Sequence, residues 1–419
     1  MKGITPNKED TGLRFLIFWR QPDWGFYNRR NEAFARELAK RHGVDCVIHV
    51  EWLALRGLFG ILLRYFRTRD KALKAVYRLH FTKAISRRPV PLADKLFVYT
   101  VLTLSYYEPA HFRFVDRWLT GLQLGIIDRN LSSKSSKRRI MLVYPPHPRG
   151  RELIESIRYD VLMVDLVDDL AALSDDSDRQ SIETLYADVL PACSVAFTTS
   201  THLSNKYRAR YSCEFEFLAN GVSLGSLDKS VGQGDLDYGR KSIGYVGILN
   251  RELDLELIDH VLRDNPEVTF YFVGAIESNL DPRFGQLVKE CHNLHYLGQK
   301  THEEIRMYLN SFGVLANFKK ADFTTWGNDS IKIYEYLATG KPIVSTSMAP
   351  ANRFPELIYV ADDMHTFSEL LKIAICEDIP TTRERRIRIA RQHTWERRVD
   401  IIMSRTLRSL HQKARREYQ

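Results

Sequence analysis

Residues 331–346, "IKIYEYLATGKPIVST", read as a helix, a hard stop and a strand, and this unit decides the fold. Ile331, Tyr334, Leu337 and Ala338 recur at helical spacing, so one face is apolar. Asp329 or Ser330 is expected to cap the start, and Gly340, Lys341 and Pro342 end the helix. Residues 343–346 then form a short buried strand. Lys332 and Glu335 share a face one turn apart. They fit either a surface ion pair worth a few tenths of a kcal/mol or a pair of ligand-holding groups at a helix mouth.

The surrounding chain repeats the same alternation. Residues 13–19, "LRFLIFW", read as a first strand, followed by a loop, a helix over 31–43 and a second strand over 45–52. Further buried strands are expected over 139–147, 160–169, 195–200 and 213–222, with a helix over 179–193. Residues 228–241 are polar and glycine-rich and read as a linker. Strands and helices then alternate again from residue 242. Two successive alternating halves predict an α/β protein of two Rossmann-like domains with parallel sheets facing across a cleft. The expected bounds are 1–227 for the first domain, 242–395 for the second, and 396–419 for a closing helix.

The chain has 419 residues, enough for two such domains, and a net charge of +9, which admits anionic partners. Nucleic acid is not expected among them, because Lys and Arg are spread through all segments without a stripe or a known motif. Five scattered cysteines without metal-ligand spacing fit a reduced, cytoplasmic compartment. The first fourteen residues carry no apolar signal core. Residues 52–88 mix leucines and aromatics with Arg56, Arg64, Arg67, Arg69, Lys71, Lys74 and Arg78. This segment fits a basic amphipathic helix pair lying on an anionic membrane surface, peripheral on its inner face. It equally fits a helix packed on the sheet with a solvated basic face.

Ligands of open parallel sheets bind beyond the carboxyl ends of the strands. In the second half those ends offer Gly247, Asn250 and Arg251, then Gly298, Gln299 and Lys300, then Ser330 at the mouth of the opening helix. A helix N-terminus attracts phosphate through free N–H groups and its dipole, and Lys332 adds a full charge. Glu335, one turn deeper, can accept hydrogen bonds from two neighbouring hydroxyls, as a ribose supplies. Phosphate at the mouth and ribose one turn in describe a nucleotide.

With those residues in view, "SIKIYEYLATGKPIVST" resembles the donor-site signature of GT-B-fold glycosyltransferases of the family-4 and family-1 groups. "IGYVGILNRELDLELI", "NLHYLGQKTHEEI", "VDLVDDLAALS" and "RIARQHTWERRV" extend the resemblance over most of residues 140–400. It implies transfer of a sugar from a nucleoside-diphosphate sugar to a glycan or lipid-linked acceptor, with no separate cofactor and no metal. Glu335 would hold the ribose, and Lys332, Arg251 and the N–H groups near Ser330 the diphosphate. Many family-4 members carry a further glutamate where this chain has Gly327, so that sugar contact is not carried over. A nucleotide-sugar epimerase of the same fold is the alternative reading.

Asp168 and Asp169 follow an apolar strand and would face the cleft, where a carboxylate can deprotonate an acceptor hydroxyl. Both also fit as caps of the next helix. Trp24, Asn28 and Arg29, in the loop after the first strand, are expected on the acceptor side. Asp235 and Asp237 form a D-x-D triad, but in the linker, where metal binding is not expected.

Overall fold

The computed structural model describes residues 12–26, 29–104, 113–131, 137–147, 149–171, 174, 176–224, 237–322 and 328–417. They form two compact units. The first comprises Met1–Thr198, Leu203–Leu218 and Val399–Gln419; the second comprises Thr199–His202 and Ala219–Arg398.

The first unit is built on strands β1 (Leu13–Trp19), β2 (Val44–Ala54), β3 (Val90–Ala93), β4 (Leu96–Thr103), β5 (Arg138–Val143), β6 (Val161–Leu166), β7 (Val195–Thr198) and β8 (Phe215–Phe217). Their order is β3-β4-β2-β1-β5-β6-β7-β8, parallel throughout except for the β3–β4 pair. Phe15, Leu16, Ile17 and Phe18 of β1 are all buried, the continuous apolar run of a strand covered on both faces. Paired charges interrupt this core, Glu51 of β2 with Lys83 and Asp165 of β6 with Arg30. Asp165 in β6 is buried and accepts two hydrogen bonds from the Arg30 guanidinium, at 2.6 and 3.1 Å. Charged partners at that distance offset its desolvation.

The second unit carries β9 (Ser242–Val246), β10 (Thr269–Val273), β11 (Leu294–Tyr296), β12 (Val314–Asn317), β13 (Ile343–Thr346) and β14 (Tyr359–Ala361). The order is β11-β10-β9-β12-β13-β14, all parallel. The chain runs outward one way from β9 and the other way from β12. The switch point between them is where a doubly wound sheet opens a crevice for ligands.

The expected domain bounds need two corrections. The main segment of the second unit begins at Ala219, before the linker, because the Asn220 N–H donates to Asp329 at 2.6 Å and Val222 pairs with Thr394. Residues 225–236, most of the expected linker, lie outside the described residues, as does Asp235. The last helix starts at Trp395, and only from Val399 does it belong to the first unit. The segment 52–88 forms helices Leu55–Arg67 and Lys71–Ile85. The reading of an ordinary packed helix holds for the second, which buries Tyr77, His80, Lys83 and Ala84, whereas the first has no buried residue.

Candidate functional site

The quoted stretch folds as a helix over Ile331–Thr339 that ends on Gly340, in the left-handed conformation at φ 74°. Ile333, Tyr334, Tyr336 and Leu337 are buried, and the Tyr336 hydroxyl accepts a hydrogen bond from the Val246 N–H at 3.0 Å. That bond ties the helix to the end of β9, beside the switch point. Ser330 precedes the helix in extended conformation and its side chain makes no capping bond. The expected cap at Asp329 does not form either. Its buried carboxylate accepts from the Asn220 N–H, from the Tyr334 hydroxyl at 2.9 Å and from Arg353 at 2.5 Å. The first-turn N–H groups therefore receive no side-chain cap from Asp329 or Ser330.

Lys332 and Glu335 are not a surface ion pair. Lys332 is buried, donates from Nζ to the Tyr245 hydroxyl at 2.7 Å, and lies 4.0 Å from the centre of that ring. Burial, then the neighbouring Lys319 charge, holds its pKa well below the ordinary lysine value. Glu252 carries the counter-charge and is already bonded to Lys319. Glu335 adds a second negative charge near Lys332. Glu335 is half-buried and, among the described residues, makes no hydrogen bond or ion pair. Its pKa is pushed up to about 6 by burial, against the pull of the Lys332 and Arg306 charges. Its oxygens are left free to accept hydrogen bonds from a ligand.

Glycines clear the space in front of these groups. Gly247, at φ 155°, ends β9, and a Cβ there would stand 2.7 Å from the Lys332 ammonium. Gly274, at φ 151°, ends β10, and a Cβ would meet the Gly247 carbonyl oxygen at 1.8 Å. Of the other expected donor residues, Asn250 turns its side chain onto its own loop, where Oδ1 accepts from the Glu252 N–H at 3.2 Å. Arg251 is exposed at the tip of that loop, and Gln299 is half-buried after Gly298. Lys300 lies 5.5 Å from the centre of the Tyr308 ring. Tyr245, Glu252 and Lys319 were not singled out from sequence. The only available signal was that Glu252 and Lys319 each follow a strand end.

The first unit has its own switch point, between β1 and β5. Near it, Asp168 follows β6 and its carboxylate stands 3.6 Å from the Arg20 guanidinium, both partly exposed. Asp169 is buried and accepts from Lys206 at 2.6 Å and from the Tyr207 hydroxyl at 3.0 Å, so its oxygens are committed to packing. Neither aspartate caps the next helix, which begins at Asp176. Trp24 is buried, with its ring edge against His49 and its backbone N–H donating to Glu51 at 2.8 Å, and cannot serve as an acceptor contact. Arg29 pairs with Asp23 at 2.6 Å, and Asn28 lies outside the described residues. No cluster of metal-ligating side chains occurs among the described residues.

No family model matches the chain. A segment of 187 residues, 42% of this chain, is 27% identical to the Bacillus subtilis (strain 168) protein named "Putative teichuronic acid biosynthesis glycosyltransferase TuaH". That match spans 46% of the relative, about half its length. Among solved structures, sucrose-phosphate synthase from Thermosynechococcus elongatus aligns over 95% of this chain and 99% of its own, with a TM-score of 0.65 and 13% identity. Anabaena HepE, in complex with UDP and glucose, aligns over 94% and 99%, at 0.65 and 12%. WaaG, a glycosyltransferase involved in lipopolysaccharide biosynthesis, aligns over 93% and 99%, at 0.54 and 11%. Likeness of this extent establishes the fold of the chain as GT-B, two Rossmann-like domains with parallel sheets.

Proposed function

We propose that this chain, built on the GT-B fold, is a glycosyltransferase moving a sugar from a nucleoside-diphosphate sugar to a glycan or lipid-linked acceptor. The observation that carries the reading is the unpartnered Glu335 beside the buried Lys332, on one helix, in front of glycine-cleared strand ends. Glu335 accepts hydrogen bonds from the ribose hydroxyls. The uncapped helix mouth at Ser330, with Lys332 and the exposed Arg251, takes the diphosphate. As the bond to the sugar breaks, these cationic groups stabilise the charge that develops on the leaving diphosphate, without a metal ion. Asp168 is assigned the general base that takes the acceptor's proton. HepE, solved with UDP and glucose, and the relative named for teichuronic acid biosynthesis support this choice over an epimerase of the same fold.

Thermal-shift measurements against UDP-, GDP-, ADP- and dTDP-sugars test it. Binding at a hundredfold excess over Kd stabilises by about 2.7 kcal/mol, so one donor should raise the midpoint clearly. No shift with any of them would count against the reading. Release of free nucleoside diphosphate with a glycan acceptor then separates transfer from epimerisation.

The Glu335 shift gives a pH dependence. Its folded pKa of about 6 lies above the ordinary 4.5, so its favourable contribution to stability is full below 4.5 and lost as pH rises through 6. Above pH 6 the ionised carboxylate costs the empty protein up to about 2 kcal/mol. Nucleoside binding runs the opposite way, because only the carboxylate accepts both ribose hydroxyls. Affinity for the free nucleoside should be flat above about pH 6.5 and fall below 6, by up to about tenfold per pH unit. Titrations from pH 5 to 8 check this; a flat profile would exclude Glu335 as the ribose acceptor.

A further inference from the structure

The helix Leu55–Arg67 carries an apolar face that no described residue of its own unit covers. Leu55, Phe59, Leu63 and Phe66 fall on one side at steps of four and three residues, and all four are exposed, Phe59 by 64% and Phe66 by 71%. Arg56, Arg64 and Arg67 are also exposed and follow the apolar row around the helix. The adjoining side, with Leu58, Ile61, Leu62 and Tyr65, is half-buried. From residue 55 to residue 85 Asp70 is the single acidic residue, and it is spent capping the next helix by accepting from the Leu73 N–H at 2.9 Å. Exposed phenylalanines bordered by arginines, with no acid besides Asp70 between residues 55 and 85, match an interfacial helix and an anionic surface in both polarity and charge. The helix also leaves β2 at its carboxyl end, the end of the sheet where its ligand loops gather.

We propose that Leu55–Arg67 is the face by which this protein docks on an anionic lipid bilayer. The phenylalanines and leucines enter the acyl boundary, and the arginines meet the lipid phosphates. The inference stands on this helix alone and does not depend on the donor-site reading. Flotation of the full chain with phosphatidylcholine vesicles, with and without phosphatidylglycerol, tests it. The protein should float with the anionic vesicles, stay behind with the neutral ones, and be released by high salt. Attraction near such a surface falls with each basic residue removed, so R56S/R64S/R67S should lower partitioning about a hundredfold. F59S/F66S should lower it at least about tenfold. Since the helix has no buried residue, both variants should keep the parent's thermal midpoint. Equal or negligible binding of the parent to both vesicles would overturn the proposal, and that result needs no variant. So would a concentration-dependent dimer abolished by F59S/F66S with flotation unchanged, which would assign the face to a second copy of the chain.

Discussion

Asp168→Asn is expected to lower turnover by about 100-fold or more while leaving nucleotide affinity and folding close to those of the parent. A general base contributes about that much when it takes the acceptor proton in the transition state. The amide keeps the shape of the carboxylate but cannot take the proton. Its ion pair with Arg20, at 3.6 Å and partly exposed, contributes little to stability. Asp169→Asn supplies the contrast. That carboxylate is buried against Lys206 and Tyr207, and breaking such a pair by removing one charge costs about 3–5 kcal/mol. One aspartate should therefore register in turnover and its neighbour in the melting temperature. Parent-like turnover in Asp168→Asn would remove it from the mechanism.

Lys332→Met should weaken the nucleoside diphosphate by about ten- to hundredfold and leave the free nucleoside unchanged. Methionine keeps the apolar stem against the Tyr245 ring and removes the charge. A charged hydrogen bond to phosphate contributes about 1.5–3 kcal/mol, which is that range in Kd. The empty protein should become no less stable. Among the described residues the Lys332 ammonium donates only to the Tyr245 hydroxyl, and burial outweighs the nearby carboxylates in working against its charged form. Equal losses for nucleoside and diphosphate would show that Lys332 shapes the pocket rather than binding phosphate.

Much of the fold was legible because its signals are local. The buried run "FLIF" in β1, the stop at Gly340 and the alternation after residue 242 each depend on neighbours in sequence. Residues 90–131 were not read, although the "LFVYTVLT" of β4 is rich in β-branched and aromatic residues. In the site, helical spacing put Lys332 and Glu335 on one face, but spacing cannot tell whether two charges pair with each other. Tyr245, which takes Lys332 from its partner, lies in a strand buried along its whole length, where alternation carries no information. Asp329 was read as a cap because its long-range partners, Asn220 and Arg353, are invisible to local pattern. Trp24 failed as an acceptor contact for the same reason: Glu51, on the next strand, draws its backbone inward.

Calorimetric titration of Glu335→Ala with the free nucleoside and with the nucleoside diphosphate tests the donor-site account most directly. Alanine is the best helix former, and the carboxylate it removes makes no hydrogen bond or close ion pair among the described residues, so the variant should fold about as well as the parent. Hydrogen bonds to a charged acceptor contribute about 1.5–3 kcal/mol, so both ligands should bind roughly ten- to hundredfold more weakly. The loss should be common to both, unlike that of Lys332→Met, because both carry the ribose. If Glu335→Ala binds nucleoside and diphosphate as tightly as the parent does, the carboxylate does not hold a ribose and the nucleotide-sugar site is not here.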